Sequence, residues 1–488
     1  MKNTFINKLS LLLPAVVLAI GLWSCADTGK PYRIENGKIV YSAPVPAVGQ
    51  QDMLGFAAEK IPVVRVGFIG IGMRGIDAVE RFTWLEGVQI KAICDMEQYN
   101  LDRAQSVLAR KGLPAAEEYI GDTNAWKQLC ERDDLDLVYI CTDWLHHTPM
   151  AVYAMECGKH AAVEVPAAIT LDECWQLVDT SERTRRHCMM LENCCYDFFE
   201  LATLNMAQQG VFGEVMHVEG AYIHDLRELN FADRLSENSS YRPGEGTDRK
   251  LPGLSGYWDH WRLKFNEEHT GNPYPTHGLG PVCQILNIHR GDRMDYLVSV
   301  STDQAGMTEY ARESYGIKSA EATHSYKLGD MNTTIIRTVR GKTIMIQHDV
   351  TSPRPYSRIH MVSGTKGFAQ KWPRTQIALE PNAHSALPKE TMDSLLNAYE
   401  FPFVTDIKEL AKEVGGHGGM DFIMDYRLVY CLRNGLPLDQ DVYDAAEWSC
   451  LVELTETSVL NGGMPVQFPD FTRGQWQKID GLRHAFTR

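Results

Sequence analysis

A glycine-spaced turn at residues 70–75 constrains the fold of this chain more than any other feature of the sequence. It reads Gly-Ile-Gly-Met-Arg-Gly and follows an almost continuous apolar run at 63–69. In a GxGxxG turn the first glycine (Gly70) permits the sharp bend, the second (Gly72) lets a pyrophosphate approach the backbone, and the third (Gly75) lets a helix pack closely on the strand. The segment therefore predicts the strand, turn and helix that open a dinucleotide-binding domain.

The next apolar run indicates which dinucleotide would bind. It ends at Asp95, twenty residues after Gly75, and a carboxylate at this spacing binds the adenosine ribose hydroxyls. Such a carboxylate repels a 2′-phosphate, and no Lys or Arg follows it until Arg103. We therefore predict NAD as the cofactor rather than NADP. The alternative is a glycine-rich turn in an α/β fold that has lost its ligand.

Apolar runs alternate with helical patterns up to about residue 195, which predicts a doubly wound parallel sheet. Beyond Tyr196 the strands are longer and more alternating. The predicted class is α/β, with an N-terminal Rossmann domain and a C-terminal α+β domain that has a mostly antiparallel open sheet. Strands are predicted at 63–69, 88–94, 135–141, 161–164, 215–221, 296–302, 333–338, 342–349 and 358–362. Helices are predicted at 75–85, 101–111, 148–157 and 171–185, and a loop at 236–254.

The N-terminus has the pattern of a bacterial lipoprotein signal peptide. Lys2 and Lys8 precede a mostly apolar run at 9–22, and Cys25 would become the lipidated N-terminus. The run is too short for a spanning helix; an ordinary secretory signal with an incidental cysteine is the alternative. We expect a protein anchored by lipid in the cell envelope, facing the periplasm or the cell surface. The predicted divisions are a signal peptide (1–24), a tether (25–60), an NAD-binding domain (61–195) and a substrate domain (196–488).

Charge and cysteine spacing exclude several classes of function. The net charge of −15 and the pI near 5.5 argue against nucleic acid as a partner, because no basic cluster could neutralise phosphates. The twelve cysteines form no CxxC motif, so buried thiols are expected rather than disulfides or a zinc site. His146 and His147 are adjacent, so their side chains diverge, and with no third ligand nearby we predict no metal.

Export and NAD binding together limit the chemistry. Outside the cytosol there is no pool of NAD to exchange, so the protein would have to keep its cofactor and regenerate it in each cycle. This points away from net oxidation and toward a reaction that removes a hydride and returns it.

Three segments resemble the oxidoreductases of the Gfo/Idh/MocA superfamily. They are the run Cys-Thr-Asp-Trp-Leu-His-His-Thr-Pro-Met at 141–150, Gly-Lys-His at 158–160, and Glu-Val-Pro at 164–166. In that superfamily the last motif is Glu-Lys-Pro, and its Lys assists proton transfer beside the nicotinamide. Here Val165 stands in place of the Lys, and Asp143 stands in place of the usual Pro.

The motif that contains Val165, together with two other segments, is similar to a narrower family. Glu-Val-Pro, the segment Gly-Asn-Pro-Tyr-Pro-Thr-His-Gly-Leu-Gly-Pro at 271–281 and Gly-His-Gly-Gly-Met-Asp at 416–421 resemble glycoside hydrolase family 109, the NAD-dependent α-N-acetylgalactosaminidases. The resemblance runs from about residue 60 to the C-terminus. It implies oxidation of the sugar at C3, elimination across C1 and C2, addition of water, and re-reduction.

The resemblance also implies site residues. On the pyrophosphate and ribose side they are Met73, Arg74 and Asp95. On the nicotinamide side they are Trp144, Leu145, His146, His147, Glu164, Val165 and Asn193. Around the sugar they are Tyr222, Arg262, Tyr274, Pro275, Thr276, His277 and Tyr356, with Tyr196 and His417 as further candidates.

Three of these residues are assigned catalytic roles. His277 is expected to take the proton of the C3 hydroxyl, because the pKa of histidine lies near working pH. Tyr356 is expected to be the base at C2, which requires that its pKa be lowered by a neighbour such as Arg354 or Arg358. Glu164 would orient these groups or act near C1 or C2. The alternatives are a hydrogen-bonded loop histidine and a tyrosine that caps a proline-rich turn.

Two other functions remain open from the sequence. One is an NAD-dependent sugar dehydrogenase with net redox turnover, and the other is a non-catalytic sugar-binding lipoprotein. In each case the partners are a glycan or glycoside and, through the lipid anchor, a membrane. A homo-oligomer is also possible, because related folds commonly pair through the open face of the second sheet.

Overall fold

The computed structural model describes residues 30–121, 123–232 and 256–484. The predicted signal peptide with Cys25 and the predicted loop at 236–254 lie outside the described residues. Two β-sheets, with helices packed against them, make up the described part of the chain.

The described strands are numbered in their order along the chain. They are β1 (Tyr32–Glu35), β2 (Lys38–Tyr41), β3 (Val64–Ile69), β4 (Val88–Cys94), β5 (Glu117–Tyr119), β6 (Leu137–Ile140), β7 (His160–Val163), β8 (Cys188–Met190), β9 (Val215–Ile223), β10 (Met294–Ser301), β11 (Asn332–Thr338), β12 (Thr343–Asp349), β13 (Met361–Gly364), β14 (Gly367–Gln370), β15 (Gln376–Leu379) and β16 (Val466–Gln467).

The described helices are also numbered in chain order. They are α1 (Met73–Phe82), α2 (Gln98–Arg110), α3 (Ala125–Cys130), α4 (Trp144–Glu156), α5 (Leu171–Thr184), α6 (Phe198–Gln208), α7 (Arg227–Phe231), α8 (Trp261–Glu268), α9 (Thr276–Ile285), α10 (Gly306–Tyr315), α11 (Ala320–Thr323), α12 (Lys389–Ala398), α13 (Pro402–Val414), α14 (Met420–Asn434), α15 (Val442–Ser449) and α16 (Leu451–Leu460). Short 3-10 turns lie at Asn193–Tyr196, Trp258–His260 and His417–Gly419.

The first sheet confirms the predicted Rossmann domain. Its six strands are all parallel and run in the order β5-β4-β3-β6-β7-β8. Buried apolar side chains fill β3, β6 and β7, as expected for strands that are covered on both faces. The strand order reverses between β3 and β6, and ligands bind in the crevice beyond the carboxyl ends of strands at such a point.

Helix α4 begins four residues earlier than its apolar pattern predicts. The carboxylate of Asp143 accepts a hydrogen bond from the Leu145 amide at 3.0 Å and so caps the first turn. This start brings Trp144, Leu145, His146 and His147 into the first turn of the helix.

The second sheet has ten strands in the order β1-β2-β16-β10-β11-β12-β9-β13-β14-β15. Its neighbours pair antiparallel except at β2–β16 and β9–β12, which confirms the mostly antiparallel sheet. Helices α9 and α16 pack on the sheet at β9 and β10. On the opposite face Val300 and Ile335 are exposed, so the sheet is open there.

The segment predicted as a tether is different in the structure. Strands β1 and β2 form a hairpin, and β2 joins the second sheet through the pairing of Ile39 with Val466. The turn is Asn36-Gly37, with both residues at positive φ, and an Asn-Gly pair between short strands is a strong hairpin signal. Met53 and Leu54 are also buried in the core. From Tyr32 onward the segment is therefore part of the folded body.

Packing crosses the predicted division at residues 195 and 196. Helix α14 packs against α1 and β3, and α15 packs against α5 and β8. Both helices belong by sequence to the second domain but cover the first sheet. The two parts therefore share one hydrophobic core.

Two further features concern the membrane and the thiols. Among the described residues, no helix combines the length and apolar character needed to cross a bilayer. The described cysteines are free thiols, and none of them is exposed.

The hairpin generates a prediction about stability. Ile39 is fully buried, whereas Ile34, its partner in the ladder, is 61% exposed. We expect Ile39→Ala to lower the free energy of unfolding by about 2–5 kcal/mol, because removing buried methyl groups loses burial and leaves a cavity. Ile34→Ala is the matched control and should cost less than about 1 kcal/mol. Urea unfolding measures both changes; equal losses would mean that the hairpin does not pack as described.

Candidate active site

The glycine turn has the geometry that a dinucleotide requires. Gly70 has φ of +83°, and a Cβ there would lie 2.7 Å from the carbonyl oxygen of Cys141. A Cβ at Gly75 would lie 1.9 Å from the carbonyl oxygen of Gly70. Neither position can therefore carry a side chain without moving the backbone. Gly72 is the residue before the first turn of α1, so the N-terminal amides of α1 are directed toward the crevice, as pyrophosphate binding needs.

Asp95 lies at the carboxyl end of β4, where the sequence predicts a ribose contact. Its carboxylate accepts hydrogen bonds from the Ile71 amide at 2.6 Å, the Glu97 amide at 2.9 Å and the Asn100 side chain at 2.9 Å. These bonds hold the carboxylate against the glycine turn. The turn, the helix start and this carboxylate together fit NAD.

Arg74 joins a network of polar side chains next to the glycine turn. Its guanidinium donates to Glu164 at 3.0 Å and to Asp421 at 3.1 Å. His417 lies beside it, with Nδ1 2.9 Å from the Asp421 carboxylate. The side chain of Asn193 also donates to Asp421. The structure thus brings together one predicted pyrophosphate residue and four residues from outside the glycine turn.

Asp421 is the carboxylate that these groups share. It is buried at the start of α14, and Arg81 on α1 lies 3.6 Å away. Burial by itself would raise the pKa of Asp421, but the charges of Arg74, Arg81 and His417 outweigh burial and hold the pKa well below its usual range. The ionised carboxylate therefore joins α1 to α14 beside the cofactor turn.

The residues of the first turn of α4 do not all face the same space. Trp144 is buried and stacks on Tyr274 with ring centroids 5.7 Å apart. Leu145 is exposed. The exposed His146 bonds to Asp143, and this contact raises the pKa of His146. His147 is buried, with its ring nitrogens 2.7 Å from the Pro166 carbonyl oxygen and 3.1 Å from that of Thr142. His147 therefore fixes the Glu-Val-Pro segment, in which Val165 is also buried.

Aromatic rings form the wall predicted for the sugar. The ring of Tyr222 lies 4.6 Å from Tyr274 and 5.3 Å from His277. The guanidinium of Arg262 lies over Tyr274 at 4.7 Å and over Trp144 at 4.9 Å. Such faces pack against the apolar side of a sugar ring. Pro275 and the buried Thr276 begin α9 and so bring His277 to this wall.

His277 has a carboxylate partner that the sequence analysis missed. Its Nδ1 lies 2.8 Å from Oε1 and 3.0 Å from Oε2 of Glu192. Burial raises the pKa of Glu192, but the charge and hydrogen bond of His277 outweigh burial and the net pKa is lowered. Because Nδ1 of His277 contacts Glu192, Nε2 is the ring nitrogen that can meet a substrate. Glu192 lies two residues after the end of β8, and this position at the carboxyl end of a parallel strand is the signal that could have identified it.

The expected pKa of Tyr356 was wrong in direction. Arg358 does point inward, and its Nη1 donates to the phenol oxygen at 3.0 Å. Although 38% of Tyr356 is exposed, the surrounding protein desolvates its hydroxyl; this outweighs the contact with Arg358, so the pKa of Tyr356 is raised. Arg358 is also neutralised by Asp197 at 2.9 Å and Glu200 at 2.6 Å. Arg354 pairs instead with Asp349 at 3.7 Å.

The further candidate Tyr196 and the residue Trp261 lie in packing positions. Tyr196 is buried in the core, where burial raises its pKa. Trp261 packs edge-on against Trp144 at 5.0 Å, and so supports the aromatic wall from behind.

Comparisons with known proteins agree with this geometry. Residues 196–478 match the family model described as glycosyl hydrolase 109, C-terminal domain. Residues 64–192 match the oxidoreductase family with an NAD-binding Rossmann fold. The chain belongs to glycosyl hydrolase family 109. This confirms the predicted family and the predicted NAD-binding domain.

Two family 109 relatives from Bacteroides fragilis cover most of the chain. One is named alpha-N-acetylgalactosaminidase and is 59% identical over 429 residues, 88% of this chain and 96% of the relative. The other is named glycosyl hydrolase family 109 protein 1 and is 49% identical over 490 residues, 98% of this chain and 99% of the relative.

Two solved structures share the fold of this family 109 protein. Myo-inositol dehydrogenase from Lactobacillus casei, in complex with NAD(H) and myo-inositol, has a TM-score of 0.53 at 17% identity, over 84% of this chain and 99% of that one. Levoglucosan dehydrogenase, in complex with NADH and levoglucosan, has a TM-score of 0.58 at 16% identity, over 83% of this chain and 100% of that one. At this identity the likeness concerns the fold.

The shared carboxylate of Asp421 generates a second prediction. We expect Asp421→Asn to lower the free energy of unfolding by about 1.5–3 kcal/mol at pH 7, because it removes the carboxylate that Arg74 and Arg81 share, although Arg74 keeps Glu164 and Arg81 keeps Asp425 as partners. Because the folded pKa is lowered, the loss should be full above the unfolded pKa of about 3.9 and should shrink as the pH falls below it. Urea unfolding from pH 7 to pH 3 measures this change.

The control for that experiment is an exposed ion pair. Asp393 pairs with Lys389 on the surface of α12, and Asp393→Asn should cost less than about 0.5 kcal/mol. A loss as small for Asp421→Asn would show that the network does not join the two parts of the protein.

Proposed function

We propose that the protein hydrolyses terminal α-N-acetylgalactosamine residues of glycans or glycosides and retains NAD as a catalytic cofactor. The observation that carries this proposal is the Glu192–His277 pair, set against the aromatic wall of Tyr222 and Tyr274. The name of the Bacteroides fragilis relative supports the choice of sugar.

NAD, when bound, supplies reversible hydride transfer with C3 of the sugar, so the overall reaction consumes only water. Nε2 of His277 accepts the proton of the C3 hydroxyl and later returns it. Glu192 holds the Nδ1 proton and stabilises the imidazolium that forms, as a carboxylate does for histidine in a triad. The pair therefore accepts one proton in the oxidation step and returns it in the reduction step.

Elimination across C1 and C2 requires a base at C2 and a proton donor for the leaving oxygen. Tyr356 suits the donor, because its pKa is raised and Arg358 donates to its oxygen, which leaves the phenol proton free for another acceptor. Glu164 suits the base, because it is a carboxylate held by Arg74 through Oε1. We propose that Glu164 removes the C2 proton and that Tyr356 donates a proton to the leaving oxygen. This revises the expectation from the sequence, in which Tyr356 was the base at C2.

We further propose that the protein is a lipoprotein of the cell envelope, anchored at Cys25. Only six residues separate Cys25 from Tyr32, the first residue of β1, so the linker spans at most about 25 Å. The body would therefore lie close to the membrane. The open face around Val300 and Ile335 is the surface through which two copies would pair.

The experiment that tests the function is hydrolysis of p-nitrophenyl α-N-acetylgalactosaminide by the mature protein in D₂O, with no NAD added. We expect release of nitrophenol and incorporation of deuterium at C2 of the product, because the C2 proton exchanges during elimination. His277→Asn should abolish release.

Three other outcomes would contradict the proposal. Accumulation of NADH with free sugar would show a dehydrogenase. Binding of sugar with neither reaction would show a sugar-binding protein. Release that leaves C2 free of deuterium would show direct displacement.

The carboxylate partner of His277 generates a separate prediction. Glu192→Gln should lower kcat by about 100-fold or more with little change in KM, because the amide no longer fixes the tautomer or stabilises the imidazolium. Glu219→Gln is the same substitution on β9, with its side chain bonded to His217, and should leave kcat unchanged. Steady-state kinetics measures both variants; an unchanged kcat for Glu192→Gln would rule out the proton relay.

A further inference from the structure

A buried histidine meets two aspartates between the end of α9 and the start of α15. His289 lies in the turn that follows α9 and is 1% exposed. Asp441 caps α15, and Asp444 lies in its first turn. Nε2 of His289 lies 3.3 Å from Oδ1 of Asp441 and 3.3 Å from Oδ1 of Asp444. The three residues each offer one ligand atom, and these atoms lie within 4.8 Å of one another.

These distances match the ligand spacing around a zinc ion. Zinc binds histidine nitrogen and aspartate oxygen at about 2.0–2.2 Å in a tetrahedral arrangement, so two of its ligand atoms lie about 3.3 Å apart. Although Nε2 of His289 faces both oxygens, neither contact is a well-directed hydrogen bond. Calcium and magnesium prefer sites made of oxygen atoms. One nitrogen and two oxygens therefore favour zinc.

A third carboxylate orients the imidazole. Oε2 of Glu447 lies 3.2 Å from Nδ1 of His289, so Nδ1 donates its proton there and Nε2 is the nitrogen that can bind a metal. Metal-binding histidines commonly donate their second ring nitrogen to a carboxylate in this way. The aspartates are also held in place. Oδ1 of Asp441 accepts from an amide of α15 at 2.9 Å, and Oδ2 of Asp444 accepts from Arg290 at 2.6 Å.

The charge of the cluster favours a divalent cation. The carboxylates of Asp441, Asp444 and Glu447 are buried or nearly so. They share one guanidinium, that of Arg290, which lies 3.1 Å from Asp441 and 2.6 Å from Asp444. A histidine that binds a metal is neutral, so the cluster would then have two uncompensated negative charges. One Zn²⁺ balances them, and buried charges are tolerated only where they are compensated.

A cavity beside the cluster provides a route for the ion and space for a fourth ligand. Its volume is about 170 Å³, and its walls include Asp441, Arg290, His187 and Cys188. A polar cavity of this size can hold a water molecule, which would complete four ligands. Cys188 begins β8, so the cavity lies at the amino end of this strand, whereas the cofactor crevice lies beyond the carboxyl ends.

We propose that His289, Asp441 and Asp444 form a binding site for one zinc ion, and that Glu447 positions His289 within it. The ion joins the turn after α9, which packs on the second sheet, to the start of α15, which packs against β8 of the first sheet. Zinc therefore stabilises the contact between the two parts of the protein. The sequence led us to expect no metal, because ligands far apart in the chain leave no short-range pattern.

Zinc binding by the mature protein without an affinity tag tests the site. The protein is treated with EDTA, freed of the chelator and titrated with ZnCl₂ by isothermal titration calorimetry. We expect one ion to bind with a Kd of about 1 µM or tighter. The melting temperature should rise by about 2 °C or more in excess zinc. X-ray absorption at the zinc edge should show one imidazole and only nitrogen and oxygen ligands, at about 2.0–2.2 Å.

Three variants separate the roles of the residues. His289→Gln should weaken zinc binding by about 100-fold or more, because it removes the nitrogen ligand. Glu447→Gln should weaken it by about 10-fold, because it changes only the contact that orients the ring. His217→Gln is the matched control, since His217 also lies 3.3 Å from a carboxylate, that of Glu219, and it should bind zinc like the parent protein. Circular dichroism without zinc checks folding; if His289→Gln does not fold, Glu447→Gln and X-ray absorption decide.

Three results would overturn the site. The first is a Kd weaker than about 10 µM for the parent protein, and the second is an unchanged affinity in His289→Gln. The third is a sulfur ligand at about 2.3 Å, which would place the ion at Cys194, beside Glu192 and His277. These measurements need neither NAD nor a sugar, so their outcome is independent of the proposed glycosidase.

Discussion

The buried carboxylate of Asp421 is the contact on which the arrangement of the site depends. It binds Arg74 from the glycine turn, lies beside Arg81 of the same helix, and accepts from Asn193 at the end of the first sheet. An ionised carboxylate in the core is tolerated only where several donors meet it. Its position at the start of α14 therefore fixes the distance between the cofactor turn and the second domain.

The spacing between the cofactor turn and the second domain places groups from remote parts of the chain next to one another. Glu192 follows the last strand of the first sheet, and His277 begins a helix that packs on the second sheet. The crevice consequently has two electrostatic sides. Carboxylates lie toward the cofactor, at Glu164 and Glu192, whereas the sugar side has the buried cation of Arg262. This division suits a reaction in which protons leave the sugar on one side while its polar substituents are held on the other.

Local patterns in the sequence predicted much of this arrangement. The alternation of buried strands and helices predicted the parallel first sheet, although its edge strands β5 and β8 were not predicted. Gly70 and Gly75 are glycines because a Cβ would collide with the backbone. The Asn36-Gly37 turn was an equally local signal that the tether interpretation overlooked. Glu192 was not predicted because its role depends on a histidine 85 residues away. The pKa of Tyr356 could not be read from adjacent arginines, because burial determines its direction.

The sequence by itself determined the family, the Rossmann domain, the preference for NAD and the aromatic and histidine residues of the site. These properties follow from short-range spacing, since a turn, a strand end and a motif are encoded by neighbouring residues. Only the tertiary structure decided which carboxylate serves His277 and which residues pair with Arg74. The physical reason is that ionisation and hydrogen bonding depend on burial and on contacts between segments far apart in the chain.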